Sequence, residues 1–213
     1  MGAARQLIRA PWLSIGLAAG CIASVVIPSV GAFFIYDRSA VASGELWRIL
    51  TAHFVHYTDS HLINNLIVLL PAMVLAEIGS RKDMVRVLVV SAAAIGVAVF
   101  ALEPDVTRYA GASGVSLALV TYIALRGMAG NVRWRVVCGA LLVLVGFKLA
   151  AENLFGWRWV NWEHESGIFT VTLAHSVGVV SGLLVWFVQT VKGKSGSFVA
   201  RGRAGIDQSR QAS

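Results

Sequence analysis

Between Trp12 and Val191 the chain is a succession of apolar runs broken by short charged turns. At ~1.5 Å of rise per helical residue the longer runs can cross a bilayer, and they are too long for soluble core helices. Lipid offers no partner to a free backbone N–H or C=O, so such runs must be helices. The 213 residues are 57% hydrophobic and 14% charged, which fits a one-domain, all-α polytopic membrane protein.

Six crossings are expected. The first runs from Trp12 to Phe34. Ala18-Ala19-Gly20-Cys21 loosely resembles a lipoprotein cleavage site, but the residue before Ala19 is not Leu and the apolar run continues, so cleavage is not expected. Residues 35–60 mix aromatic and charged residues without a period and read as an interfacial or partly re-entrant loop. The second crossing spans 61–78, the third 85–102, the fourth 113–128, the fifth 136–151 and the sixth 168–191. Trp157, Trp159 and Trp162 mark a membrane–water boundary. The organisation is then a basic start (1–11), a six-helix core (12–191) and a basic tail (192–213), the last without periodicity and expected to be disordered.

The net charge of +7 suggests nucleic acid only in a less apolar chain. Arg5, Arg9, Arg81, Lys82, Arg86, Arg126, Arg133, Arg135, Lys192 and the tail arginines share the side of the termini, against Arg38, Arg48, Arg108 and Arg158 on the other. The positive-inside rule puts both termini in the cytoplasm, and no nucleic-acid partner is expected. Cys21 and Cys138 fall at different depths, so no bridge between them is expected.

Three crossings carry polar residues to one layer below the outer surface. His61 and Asn65 are one helical turn apart on the second, and Ser113 opens the fourth. His175 lies about seven residues into the sixth, roughly 10 Å down at helical rise. Polar side chains at that depth need partners or a wet cavity. Ser113 follows Gly111-Ala112 and precedes Gly114, a small turn at a helix start where unbonded N–H groups favour a developing anion. A serine of this kind needs a base, and His175 supplies an imidazole. His61, Asn65 and the Ser113 amide can donate to an oxyanion. No Asp or Glu falls in a crossing at that depth, so a Ser–His dyad without a carboxylate is expected. Gly178 and Gly182 lie on the face of His175 and let the sixth helix approach the fourth. Taken singly these residues are equally readable as packing or capping groups. A metal at His53, His56 and His61 lacks a further ligand at good spacing and is not expected, and Glu163-His164-Glu165 is not a zinc signature.

In this combination the chain resembles the rhomboid intramembrane serine proteases. The residues that carry the likeness are Trp47-Arg48, His56, His61 with Asn65, Gly111-Ala112-Ser113-Gly114, and His175 with Gly178 and Gly182. The resemblance covers residues 12–190. It implies Ser113 as nucleophile, His175 as general base, and an oxyanion hole of His61, Asn65 and the Ser113 amide. It makes Trp47, Arg48, His56 and Glu77 structural, along with the glycines. No cofactor is implied; the partners are transmembrane protein substrates and the lipid bilayer. Thr51-Ala52-His53-Phe54-Val55-His56 and Lys148-Leu149, Glu152 and Phe155-Gly156 resemble the rhombosortase subgroup, which processes bacterial surface proteins with Gly-Gly-type C-terminal anchors. That implies a multi-pass protein of the bacterial inner membrane with its site toward the exterior. One departure stands out: four residues after the nucleophile the family usually has an aromatic residue or His supporting the catalytic imidazole, and here it is Leu117. Two other readings stay open, a silent rhomboid-like protein that binds membrane helices, and a small transporter. Against the second stands the expected lack of buried carboxylates other than Glu77.

Overall fold

The computed structural model describes residues 10–157 and 171–193. Apart from one short strand pair, the described chain is helical. Arg5, Arg9, Arg158, Trp159, Trp162, Glu163-His164-Glu165 and the tail from Lys194 lie outside the described residues.

The first apolar run is not one straight crossing. Helix α1 (Trp12–Val26) stops, and α2 (Pro28–Phe34) leaves it at 109°. Pro28 is the cause. It lacks an N–H, sits in the first turn of α2, and holds Ile27 in extended backbone. The following loop is more ordered than its lack of period suggests. It comprises β1 (Tyr36–Asp37), α3 (Arg38–Ala42), α4 (Trp47–Thr51) and a 3₁₀ turn (Ala52–Phe54). The Asp37 carboxylate caps α3 by accepting from the Ser39 and Ala40 amides at 3.0 and 3.1 Å. The Ser39 hydroxyl, which also donates to Asp37, holds its carboxyl below the usual range, with help from those amides and Arg108.

Helix α5 (Asp59–Leu102) has 44 residues and a break at Ser80, whose backbone is extended. The chain reverses there. His61 near its start touches Gly111, while Arg38 Nη2 near the same loop donates to the Glu103 carbonyl just past its end at 2.6 Å. The second and third expected crossings are thus the two arms of α5, and residues 79–82 turn between them. After α5, β2 (Arg108–Tyr109) pairs antiparallel with β1, placing Tyr36 opposite Tyr109. Then come α6 (Ser113–Gly127), α7 (Val132–Phe155) and α8 (Thr172–Val191).

Helices α5, α7 and α8 are long and apolar enough to cross a membrane, and α1 with α2 qualifies as one bent span. The shorter α6 is the centre of the bundle. Val115, Ala118, Leu119 and Tyr122 are buried in a core shared with Met73, Val87 and Ile95 of α5 and Val185 of α8. Arg126, which the charge count places on the side of the termini, is buried: its Nη1 donates to Asp83 Oδ2 at 2.9 Å and to the Tyr122 hydroxyl at 2.8 Å. An unpaired cation there would be costly, and the ion pair is what permits it.

Candidate active site

Ser113 is the first residue of α6. The helix's first internal bond runs from the Ser116 amide to the Ala112 carbonyl, so the N–H groups of Ser113, Gly114 and Val115 precede its ladder. The hydroxyl is half-buried. His175 lies in the first turn of α8, which begins at Thr172, so it is about one turn below that helix end rather than the two expected from sequence. The two meet. Ser113 Oγ is 2.8 Å from His175 Nε2.

Glycine brings them together. A Cβ on Gly178 would collide with the Gly114 carbonyl oxygen, and one on Gly182 with the Ala118 carbonyl. A Cβ on Gly114 would stand 2.7 Å from the Ala174 carbonyl oxygen. Helices α6 and α8 therefore touch backbone to backbone along a seam that starts at the serine and the histidine.

The dyad expectation needs correction. Glu152 Oε2 is 2.7 Å from His175 Nδ1, and the other carboxylate oxygen takes Lys148 Nζ. The apolar pattern ends the fifth crossing at Ala151, which puts Glu152 in the loop that follows. Helix α7 continues to Phe155 and stops at Gly156, whose left-handed backbone caps it. That extra turn carries Glu152 into the layer of His175. The signal was present in the Lys148/Glu152 spacing of one turn. Among the described residues Asp83 and Glu152 join Glu77 as buried carboxylates, so the expected lack of such groups does not hold.

The oxyanion candidates are close by, in a partly different arrangement. Gly111 has φ +125°, a conformation that side chains rarely tolerate, and His61 lies over its open face: a Cβ would be 2.8 Å from Nε2. His61 thus borders the turn that presents Ser113. The Asn65 side-chain amide points back along its own helix and donates to the His61 carbonyl at 3.0 Å. His56 packs edge-on against His61 with ring centroids 5.0 Å apart. Burial, and then His61 beside it, push its pKa down to about 3. His56 also borders a hollow of about 490 Å³ lined by Asp37, Arg48, Tyr57 and Arg108. His53 is turned elsewhere, with Nε2 3.0 Å from the Ala92 carbonyl oxygen, so the three histidines do not converge.

The remaining candidates hold the frame. Trp47 stacks on Phe33 and its indole N–H donates to the Phe33 carbonyl at 3.3 Å. Arg48 Nη1 donates to the Ala32 and Ile35 carbonyls at 2.9 and 2.7 Å, closing the end of α2. At the opposite end of the bundle Glu77 accepts from the amides of Leu13 and Ser14 and from Arg81. It caps α1 from another helix. Leu117, one turn below Ser113, is buried and offers the imidazole neither ring nor polar atom.

No curated protein matches the chain. The Rhomboid domain family model matches residues 43–191, which is more than half of it and includes Ser113, Glu152 and His175. The chain is thus a member of the rhomboid family, in general serine intramembrane proteases.

Proposed function

We propose that this protein is an intramembrane serine endopeptidase that cuts helices of other membrane proteins near the extracytoplasmic face. The observation that carries the reading is the 2.8 Å contact between Ser113 Oγ and His175 Nε2, made by two helices distant in sequence. Ser113 Oγ attacks the scissile carbonyl carbon while its proton passes to Nε2. The carbonyl oxygen becomes an oxyanion, received by the Ser113 amide, His61 and the second amide proton of Asn65. The tetrahedral species collapses, the C–N bond breaks, and Nε2 returns the proton to the leaving amine. Water then attacks the acyl ester with Nε2 as base, releasing the carboxylic acid and restoring Ser113.

A regular helix hides its carbonyls, so the substrate must unwind locally, and small or helix-breaking residues near its outer end favour this. The hollow beside His56 offers water a place in the first loop. The topology proposed with this activity has six crossings and both termini in the cytoplasm, in a bacterial inner membrane. The Lys148, Glu152 and Phe155-Gly156 pattern favours the rhombosortase type, acting on Gly-Gly C-terminal anchors. The test is co-expression of such an anchored reporter with wild type, Ser113→Ala and His175→Ala. Cleavage by wild type and loss in both variants, each still in the membrane, is expected. Cleavage that survives Ser113→Ala overturns the reading.

A further inference from the structure

We infer that Glu152 is a positioning residue for the base and that Lys148 holds it in place, which makes the hydrolytic unit a Ser113–His175–Glu152 triad. The inference rests on the protease reading above. Its basis is the geometry at the end of α7. The Glu152 side chain is 1% exposed and its two oxygens divide between two partners: Oε2 faces His175 Nδ1 at 2.7 Å and Oε1 takes the Lys148 ammonium one turn earlier. A carboxylate so deep is costly unless both oxygens are engaged, and here they are.

The arrangement dictates the tautomer of His175. A carboxylate can only accept, so the proton facing Oε2 must sit on Nδ1. Nε2 is then left with its lone pair toward the Ser113 hydroxyl, the state a general base needs. During attack the proton from Oγ–H ends on Nε2, Nδ1 keeps its own, and Glu152 stays ionised opposite the cationic ring. The ring also cannot turn without losing its contact with Oε2. Leu117 offers it no such hold. Beside this pair Asn153 Nδ2 donates to Ser176 Oγ at 3.3 Å, so the last turn of α7 docks on the first turn of α8 through two adjacent polar contacts.

Glu152 need not serve the fold to the same extent. Helix α7 packs more on α6 than on α8, so the contact between Glu152 and His175 is not its main attachment to the bundle. Removing the charge should damage the base before it damages the bundle.

The test uses the full-length protein in detergent and a fluorophosphonate–rhodamine probe, whose time courses separate the labelling rate constant kinact from the binding constant KI. Glu152→Gln is expected to lower kinact by about 10²–10⁴-fold with KI unchanged, as when a triad carboxylate is neutralised. Glu152→Asp should recover to within about tenfold of wild type, and Lys148→Met should lose about 10–100-fold, the usual effect of removing an outer support. Wild-type kinact in Glu152→Gln overturns the inference, as does a change confined to KI. If Glu152→Gln fails to fold, Lys148→Met decides, and wild-type kinact there overturns it equally. Loss of labelling in Ser113→Ala alongside unchanged Glu152 variants sinks the triad and leaves the protease reading standing. An unlabelled wild type, or a labelled Ser113→Ala, sinks both.

Discussion

The carbonyl oxygen of Gly114 occupies the space that a side chain on Gly178 would need. Ser113 precedes one of these residues and His175 lies one turn before the other, so the distance between nucleophile and base is set by a backbone contact. Gly178→Ala should therefore destabilise the protein by about 1–3 kcal/mol, as overpacking does, and cut fluorophosphonate labelling further than that loss explains. Gly146→Ala on α7 is the control: its added Cβ meets nothing within 4 Å, and the change should be neutral or stabilising by about 0.5–1 kcal/mol. Thermal melts and labelling of both variants check the pair.

Glu77 should matter for stability and not for chemistry. It lies at the other end of the bundle from Ser113 and receives two amides of α1 with the Ser14 hydroxyl. Glu77→Ala is expected to cost about 1.5–3 kcal/mol, the range for hydrogen bonds to a charged group. The folded fraction should keep the wild-type kinact, measurable after gel filtration.

The Arg126–Asp83 pair offers a sharper contrast. Arg126→Met takes from Asp83 its buried cation, leaving the half-exposed Arg86, and should cost about 3–5 kcal/mol. Replacing both charges, Arg126→Met with Asp83→Leu, should recover much of that loss. Denaturation in mixed micelles reads both, and a double variant weaker than the single one would contradict the account.

Acid should loosen the first loop. Burial pushes His53 down to about 4 and His56 down to about 3, from an ordinary value of 6.5. Above pH 6.5 the rings are neutral whether the chain is folded or not, and their full contribution is present. Below it the unfolded chain takes up protons that the folded loop refuses. Stability should thus fall as pH drops from 6.5 toward 4, and the loss from His56 should continue toward 3. Melting midpoints across that range check this, and His53→Gln should flatten the slope.

What the sequence made legible follows from which forces are local. Hydrophobic runs place helices, so the bundle and the layer shared by His61, Ser113 and His175 could be read directly. The kink at Pro28 escaped that reading, because the apolar residues on both sides of it make one continuous run. Glu152 was hidden by a boundary: a charged residue next to an apolar run reads as its end, whereas a paired carboxylate can extend a helix by another turn. Arg126 shows the same limit, since only the tertiary fold brings Asp83 to it. Asn65 fell on the expected face, but its hydrogen bond to the His61 carbonyl depends on a rotamer, which spacing cannot fix.

The most direct measurement maps the adduct that a fluorophosphonate leaves on the purified wild-type protein, by mass spectrometry of its peptides. The account predicts one modified residue, Ser113, and no adduct there in His175→Ala. An adduct on another serine, or none at all on folded protein, would contradict the claim that α6 and α8 together build a working nucleophile.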